Sequence, residues 1–141
     1  MKNIFATLED SEGFSTFLKL ARDAELENRL RNEGPYTVFV PTDSAFARVP
    51  EERMREIGAD PDKVAIILIY HIVPGTWTLD ALKNVSMVRS LLGTELTVRS
   101  SDRGVTVNSV PIVEADAFCT NGICHAIDAA LVPPSLEVTV T

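Results

Sequence analysis

The chain has 141 residues, 45% of them hydrophobic and 23% charged, the composition of an ordinary globular domain with one core. Thirteen Lys and Arg against 20 Asp and Glu leave a net charge of −7, which excludes the basic face that nucleic acid or an anionic membrane surface demands. The longest apolar run, Val64 to Tyr70, is too short for direct membrane insertion, since a span takes roughly 20 residues.

The N-terminal third reads as helical. Asn3 and Ser11 are N-cap residue types, each standing before apolar residues. Glu9, Asp10 and Glu12 fall where a secretory leader would carry its apolar stretch, so no leader is read in this segment; a mature or recombinant chain would have lost one. Phe14, Phe17, Leu18 and Ala21 recur at i, i+3, i+4 and i+7, one face of a helix. Asp23 is a cap type for a further turn with Leu26 and Leu30, which Gly34-Pro35 ends. Tyr36 to Val40, rich in β-branched and aromatic side chains between Pro35 and Pro41, has the pattern of a buried strand. After Pro41, the oxygens of Thr42, Asp43 and Ser44 can accept from N–H groups of a following helical turn, with Phe46 folding back to the core. Asp60-Pro61 is a cap followed by Pro at the first helical position. The helix it opens carries Val64, Ile67 and Leu68 and ends near Tyr70-His71, and Pro74-Gly75 then makes a turn.

From Leu96 onward the period is two. Leu96 to Val98 and Val105 to Val107 flank Asp102-Arg103-Gly104, a hairpin signal, and Val110 to Val113 is a further short strand. Phe118 to Asp128 surrounds Asn121-Gly122, the dipeptide best suited to a two-residue turn whose central residues both take positive φ. Pro133-Pro134 interrupts regular structure, and residues 135–141 alternate as an edge strand or linker remnant would. There is no low-complexity tract and no internal repeat. Helices first and strands later predict an α+β fold.

Three stretches now resemble one family. Thr37-Val38-Phe39-Val40-Pro41-Thr42-Asp43-Ser44-Ala45-Phe46 is similar to the first box of the fasciclin (FAS1) domain. Asn121-Gly122-Ile123-Cys124-His125-Ala126-Ile127-Asp128 with Leu131-Val132-Pro133 is similar to the second. Tyr70-His71-Ile72-Val73-Pro74-Gly75 resembles the Tyr-His motif between them. The likeness covers residues 3–134 as one domain and leaves 135–141 as a tail. It implies a β-wedge packed against several short helices. It also implies non-enzymatic adhesion to a protein or polysaccharide of the cell surface or matrix, in an extracellular, periplasmic or surface-associated setting. No cofactor is implied.

Each candidate residue carries two readings. Thr42 and Asp43 are either helix caps or ligands on a loop, and without a second acidic cluster the cap is preferred. The resemblance gives Tyr70, His71 and Ile72 an adhesive role; their aliphatic neighbours instead suggest a buried joint between helix and sheet, with His71 bonded to Asp43 or a backbone carbonyl. Glu114 and Asp116 match the acidic positions of an integrin-binding stretch in animal matrix members, whereas Ala115, Ala117 and Phe118 depart from it. A solvated loop carboxylate is therefore the expectation for Asp116. Asn121, Gly122 and His125 read as structural parts of the second box.

With Asn121-Gly122 as the turn, Cys119 would face Cys124 directly, at a spacing a disulfide can bridge. A metal site from Cys119, Cys124 and His125 would need a fourth ligand, His71 or a carboxylate. A small cysteine- or metal-dependent hydrolase using Cys124, His71 and His125 is the competing function. Strand alternation argues against both, because it turns Cys124 and His125 to opposite faces. A ligand carrier would require an apolar cavity, which is a question for the fold.

Overall fold

Three short helices lead the chain: α1 (Ile4–Asp10), α2 (Ser15–Asp23) and α3 (Glu27–Asn32). The structure, a computed structural model, describes residues 1–131; the end of the second box, Pro133-Pro134 and the 135–141 tail lie outside the described residues. Strand β1 (Tyr36–Pro41) follows, then α4 (Asp43–Ala47), α5 (Glu51–Gly58), α6 (Pro61–Tyr70), β2 (Ile72–Pro74) and α7 (Leu79–Leu82). Five strands complete the described fold: β3 (Met87–Arg89), β4 (Glu95–Ser101), β5 (Gly104–Val107), β6 (Val110–Cys119) and β7 (Gly122–Ile127). The described helices all fall before Lys83 and five of the seven strands after it, with β1 and β2 set among the helices, which makes the fold α+β as the sequence implies.

Local signals place most of these elements. Asn3 caps α1 by accepting from Ala6 N at 2.8 Å, and Asp60 caps α6 through Asp62 N at 3.0 Å. Phe14, Phe17, Leu18 and Ala21 are all buried. Two residues expected as N-caps do not serve as N-caps. Ser11 closes α1, and Asp23 is the last residue of α2. Glu25 takes a left-handed φ of 61°, and Leu26 N then bonds back to Ala21 O at 2.8 Å. That reversal starts α3 at Leu26 without a side-chain cap. Helix α5 was not legible in the sequence, because none of its residues is fully buried and only Met54 and Ile57 reach the core.

The seven strands lie in the order β2-β1-β7-β6-β5-β4-β3. Strands β1 and β7 are parallel, from Tyr36 opposite Gly122 to Pro41 opposite Ile127, and the other neighbours are antiparallel. β7 is buried along its whole length, because core packs on both of its faces. On one face Val38, Val40, Cys124 and Ala126 meet Ile4, Phe5, Leu8, Phe17, Leu30 and Leu68 of the helices. On the other, Phe39 and Ile127 meet Tyr70, Val73, Leu82, Val98 and Val107 of the β-wedge.

The hairpins differ from expectation in an informative way. The β4–β5 hairpin is as expected, with Ser101 opposite Gly104. The Asn121-Gly122 turn is shifted by one residue: Cys119 pairs with Gly122, so Thr120 and Asn121 form the loop. The pair with positive φ at both central residues is Asn108 (50°) and Ser109 (68°), joining Val107 to Val110. Strand β6 runs past Val113 to Cys119, with register shifts between Ile112 and Glu114 and between Glu114 and Ala117. At the second shift Asp116 takes a φ of 60°.

Candidate functional site

The first box supplies two caps to two different helices. Thr42 Oγ1 accepts from Ala45 N at 3.1 Å and caps α4. Asp43 reaches back to α2, whose own N-cap, Phe14, offers no side-chain oxygen. Its carboxylate accepts from Thr16 N at 2.8 Å, Ser15 Oγ at 2.8 Å and Ser15 N at 3.3 Å. Burial pushes the Asp43 carboxyl up, but the bonds from Thr16 and Ser15 outweigh it and hold the group below its ordinary value.

Tyr70, His71 and Ile72 are 2%, 0% and 0% exposed, so the folded protein presents none of them to a partner. The adhesive role is corrected by burial. His71 Nδ1 lies 2.7 Å from Ile67 O and must donate to it, and Nε2 accepts from Leu131 N at 2.9 Å. These partners assign the neutral Nδ1–H tautomer. Burial drives the imidazole down from 6.5 to about 4, against the raising effect of the Ile67 bond. Asp43 takes no part. Tyr70 Oη accepts from Asn108 Nδ2 at 2.9 Å, a partnership nothing in the sequence announced.

Asn121 spends its whole amide on the fold. Oδ1 accepts from Ile4 N at 2.9 Å, and Nδ2 donates to Leu30 O at 2.8 Å and Glu33 O at 2.7 Å. Its backbone oxygen accepts from Tyr36 N at 3.1 Å. One loop residue thus joins the start of α1, the end of α3 and β1. Gly122 follows with φ 153°, and a Cβ there would stand 1.9 Å from Tyr36 O.

His125 is fully buried on the wedge side, stacked on Phe39 at 5.8 Å. Nε2 donates to Trp77 O at 2.6 Å, and Nδ1 accepts from Asp116 N at 3.1 Å. Burial lowers its pKa, opposed by the Trp77 bond and the Asp116 charge. Asp116 Oδ1 accepts from Leu79 N at 2.9 Å, at the start of α7. It is therefore a tether for α7 and not a solvated loop carboxylate, because the bulge turns it back toward the 75–79 loop. Thr37, buried and overlooked in the sequence, completes that tether by accepting from Trp77 N at 2.7 Å and donating to Gly75 O at 2.8 Å.

Cys119 and Cys124 are free thiols with Sγ atoms 3.9 Å apart. They are not directly opposed, since Cys124 pairs with Ala117; the one-residue shift of the turn makes them diagonal neighbours. Cys124 faces the helices and His125 the wedge, while both His71 nitrogens are engaged elsewhere, so these three residues do not converge. Among the described residues no group of His, Cys, Asp and Glu is arranged to hold a metal ion. An apolar cavity lined by Leu20, Phe46, Met54, Ile57 and Leu68 measures about 50 Å³, a third of the roughly 150 Å³ that admits benzene.

The Fasciclin domain family matches residues 12–133, which takes in both boxes, the Tyr-His motif and the helices they cap. The chain belongs to the fasciclin family. Protein sll1483 of Synechocystis is 38% identical to it over 126 residues, 88% of this chain and 69% of that protein. Transforming growth factor-beta-induced protein ig-h3 of Sus scrofa is 33% identical over 135 residues, 96% of this chain and 20% of the relative. Cell surface glycolipoprotein MPB83 of Mycobacterium bovis is 31% identical over 117 residues, covering 83% of this chain and 52% of that one. The chain thus spans about half or less of the porcine and mycobacterial proteins. In structure it is similar to a FAS1 domain pair from the insect cell adhesion molecule Fasciclin I. The TM-score is 0.72 at 19% identity, covering 95% of this chain and 52% of the other.

In this fasciclin domain most of the motif side chains are buried or tied to backbone groups, Ser44 and Pro74 being exposed, and the large exposed apolar groups belong to other residues. Among the described residues the large apolar groups left exposed are Met1, Met87, Val113 and Phe118. Two of them sit on β6, whose Glu114, Ala115 and Ala117 are exposed as well.

Proposed function

We propose that this fasciclin domain is a non-enzymatic interaction module that binds a protein or polysaccharide of the cell surface or matrix through the exposed part of β6. The observation that carries the reading is the exposure of Val113 and Phe118, 51% and 56%, on the part of β6 that pairs with β7. Pairing with β7 at Glu114, Ala117 and Phe118 holds that segment against the sheet, so binding orders little chain. Exposed aromatic and aliphatic groups beside a carboxylate, here Glu114, suit contact with a protein or the apolar face of a sugar. The membership of a cell surface glycolipoprotein among the relatives supports the extracellular or surface-associated setting. Asp116, tied to α7, is not counted in the contact.

Binding of immobilised protein to purified envelope polysaccharide and matrix protein fractions tests the reading. The double variant Val113→Ser, Phe118→Ser is expected to bind about tenfold more weakly with an unchanged melting midpoint. Equal binding by variant and parent would remove β6 from the contact. Turnover of a small ester that vanished with Cys124→Ala would overturn the non-enzymatic reading.

A further inference from the structure

We propose that Cys119 and Cys124 form a reactive dithiol that exchanges with low-molecular-weight disulfides and closes to a cross-strand bond, making the tip of the β6–β7 hairpin redox-responsive. The two sulfurs lie 3.9 Å apart on the helix side of the sheet. A disulfide bond is about 2 Å long, so the sulfurs must close by under about 2 Å, and because the two residues are diagonal neighbours part of that movement falls to the backbone at the strand end. Cys119 is the last residue of β6, beside the two-residue loop where the ladder ends, and its Sγ also lies 3.4 Å from Ala117 O. Both thiols are buried, Cys119 at 7% and Cys124 at 3% exposure, and a cavity of about 80 Å³ between α1 and β6 reaches Cys124 but not Cys119, with Thr7 and Ser11 on its wall. The exposed Glu114, Ala115 and Ala117 form its rim and connect it to solvent.

The two thiols are unequal. A hydrogen bond from Cys124 draws Cys119 down to about 7, burial opposes this, and the Thr7 hydroxyl adds to the lowering. Cys124 is pushed up by its bond to Cys119 and by burial. Cys119, at the strand end, the more exposed of the two and the one with the lowered pKa, is therefore the first nucleophile near neutral pH. Its thiolate attacks one sulfur of the incoming disulfide, the sulfur–sulfur bond breaks, and the departing thiolate takes a proton from solvent. Cys124 then loses its proton, attacks Cys119 Sγ and expels the second small thiol. The protein dithiol gives up two electrons, and the small disulfide is reduced to two thiols. The new bond ties the loop carrying Asn121 to β7.

The test treats the folded chain with oxidised glutathione and follows intact mass, free thiols and melting midpoint. The expected product is lighter by two hydrogen atoms, holds no glutathione, has lost both thiols and melts higher; dithiothreitol restores the starting mass. Cys124→Ser, whose hydroxyl can still donate to Cys119, is expected to stop at a glutathione adduct on Cys119, and Cys119→Ala to react about tenfold more slowly than Cys124→Ser. The proposal is overturned if the folded parent keeps both thiols under conditions that oxidise the urea-unfolded chain. A stable glutathione adduct on the parent, or equal rates for the two variants, would also overturn it. The parent protein alone gives a decisive mass, so a variant that fails to fold leaves the test intact.

Discussion

Acid is expected to attack this fold through His71. The imidazole has no exposed surface, and its Nε2 is the acceptor for Leu131 N. Protonation removes that acceptor and places a charge where water does not reach. The folded pKa is about 4 against 6.5 for the free side chain, a gap of about 2.5 units. At about 1.4 kcal/mol per unit, the linked stability is about 3 kcal/mol. Because the folded value is the lower one, the unfolded chain takes the proton first as pH falls. The contribution is whole above 6.5, drains between 6.5 and about 4, and is gone below. Urea unfolding of the parent and of His71→Gln at about pH 7.5, 5.5 and 4 isolates it, since Gln can donate to Ile67 O and accept from Leu131 N without titrating. His125, also lowered by burial, and the carboxylates are common to both proteins and cancel. The stability advantage of the parent over the variant should shrink by about 3 kcal/mol from neutral pH to pH 4. A difference constant with pH would refute the reasoning.

Asn121→Ala leaves Ile4 N, Leu30 O and Glu33 O without their partner and should cost about 2–4 kcal/mol in urea unfolding. Asn121→Asp should cost at least as much, since it keeps the acceptor but sets a charge against two carbonyls. Gly122→Ala drives a Cβ to 1.9 Å from Tyr36 O and should cost more than about 3 kcal/mol by thermal melt. Gly58→Ala, with nothing within 4 Å of the added carbon, serves as its control and should be neutral or stabilising by up to about 1 kcal/mol. Asp43→Ala should cost about 1–2 kcal/mol by uncapping α2. Because the Asp43 carboxyl is held below 3.8 in the fold, that contribution persists above 3.8 and fades as pH falls through the folded value, which an acid titration of the unfolding midpoint would show.

The apolar spacing of Phe14 to Ala21, the β-branched run Tyr36–Val40 and the Asp60-Pro61 cap were sufficient to place α2, β1 and α6. Each is a short-range pattern whose period or cap chemistry acts over a few residues. The order of elements then implied α+β, and three boxes in register pointed to the fasciclin family. The long-range partners were another matter. Asp43 caps a helix 27 residues earlier, Asn121 bonds residues 88 to 117 positions away, and Thr37 holds Trp77 across 40 residues. Nothing in local spacing encodes which distant backbone group a side chain will meet. The turn at Asn121 slipped by one residue for the same reason: its amide is held by α1 and α3, and Gly122 is needed beneath Tyr36 O. That slip made the cysteines diagonal neighbours. Local chemistry therefore chose the elements. Only their packing decided which polar groups were consumed inside and which residues, Val113 and Phe118 among them, were left outside, because burial belongs to the whole fold and not to any stretch of it.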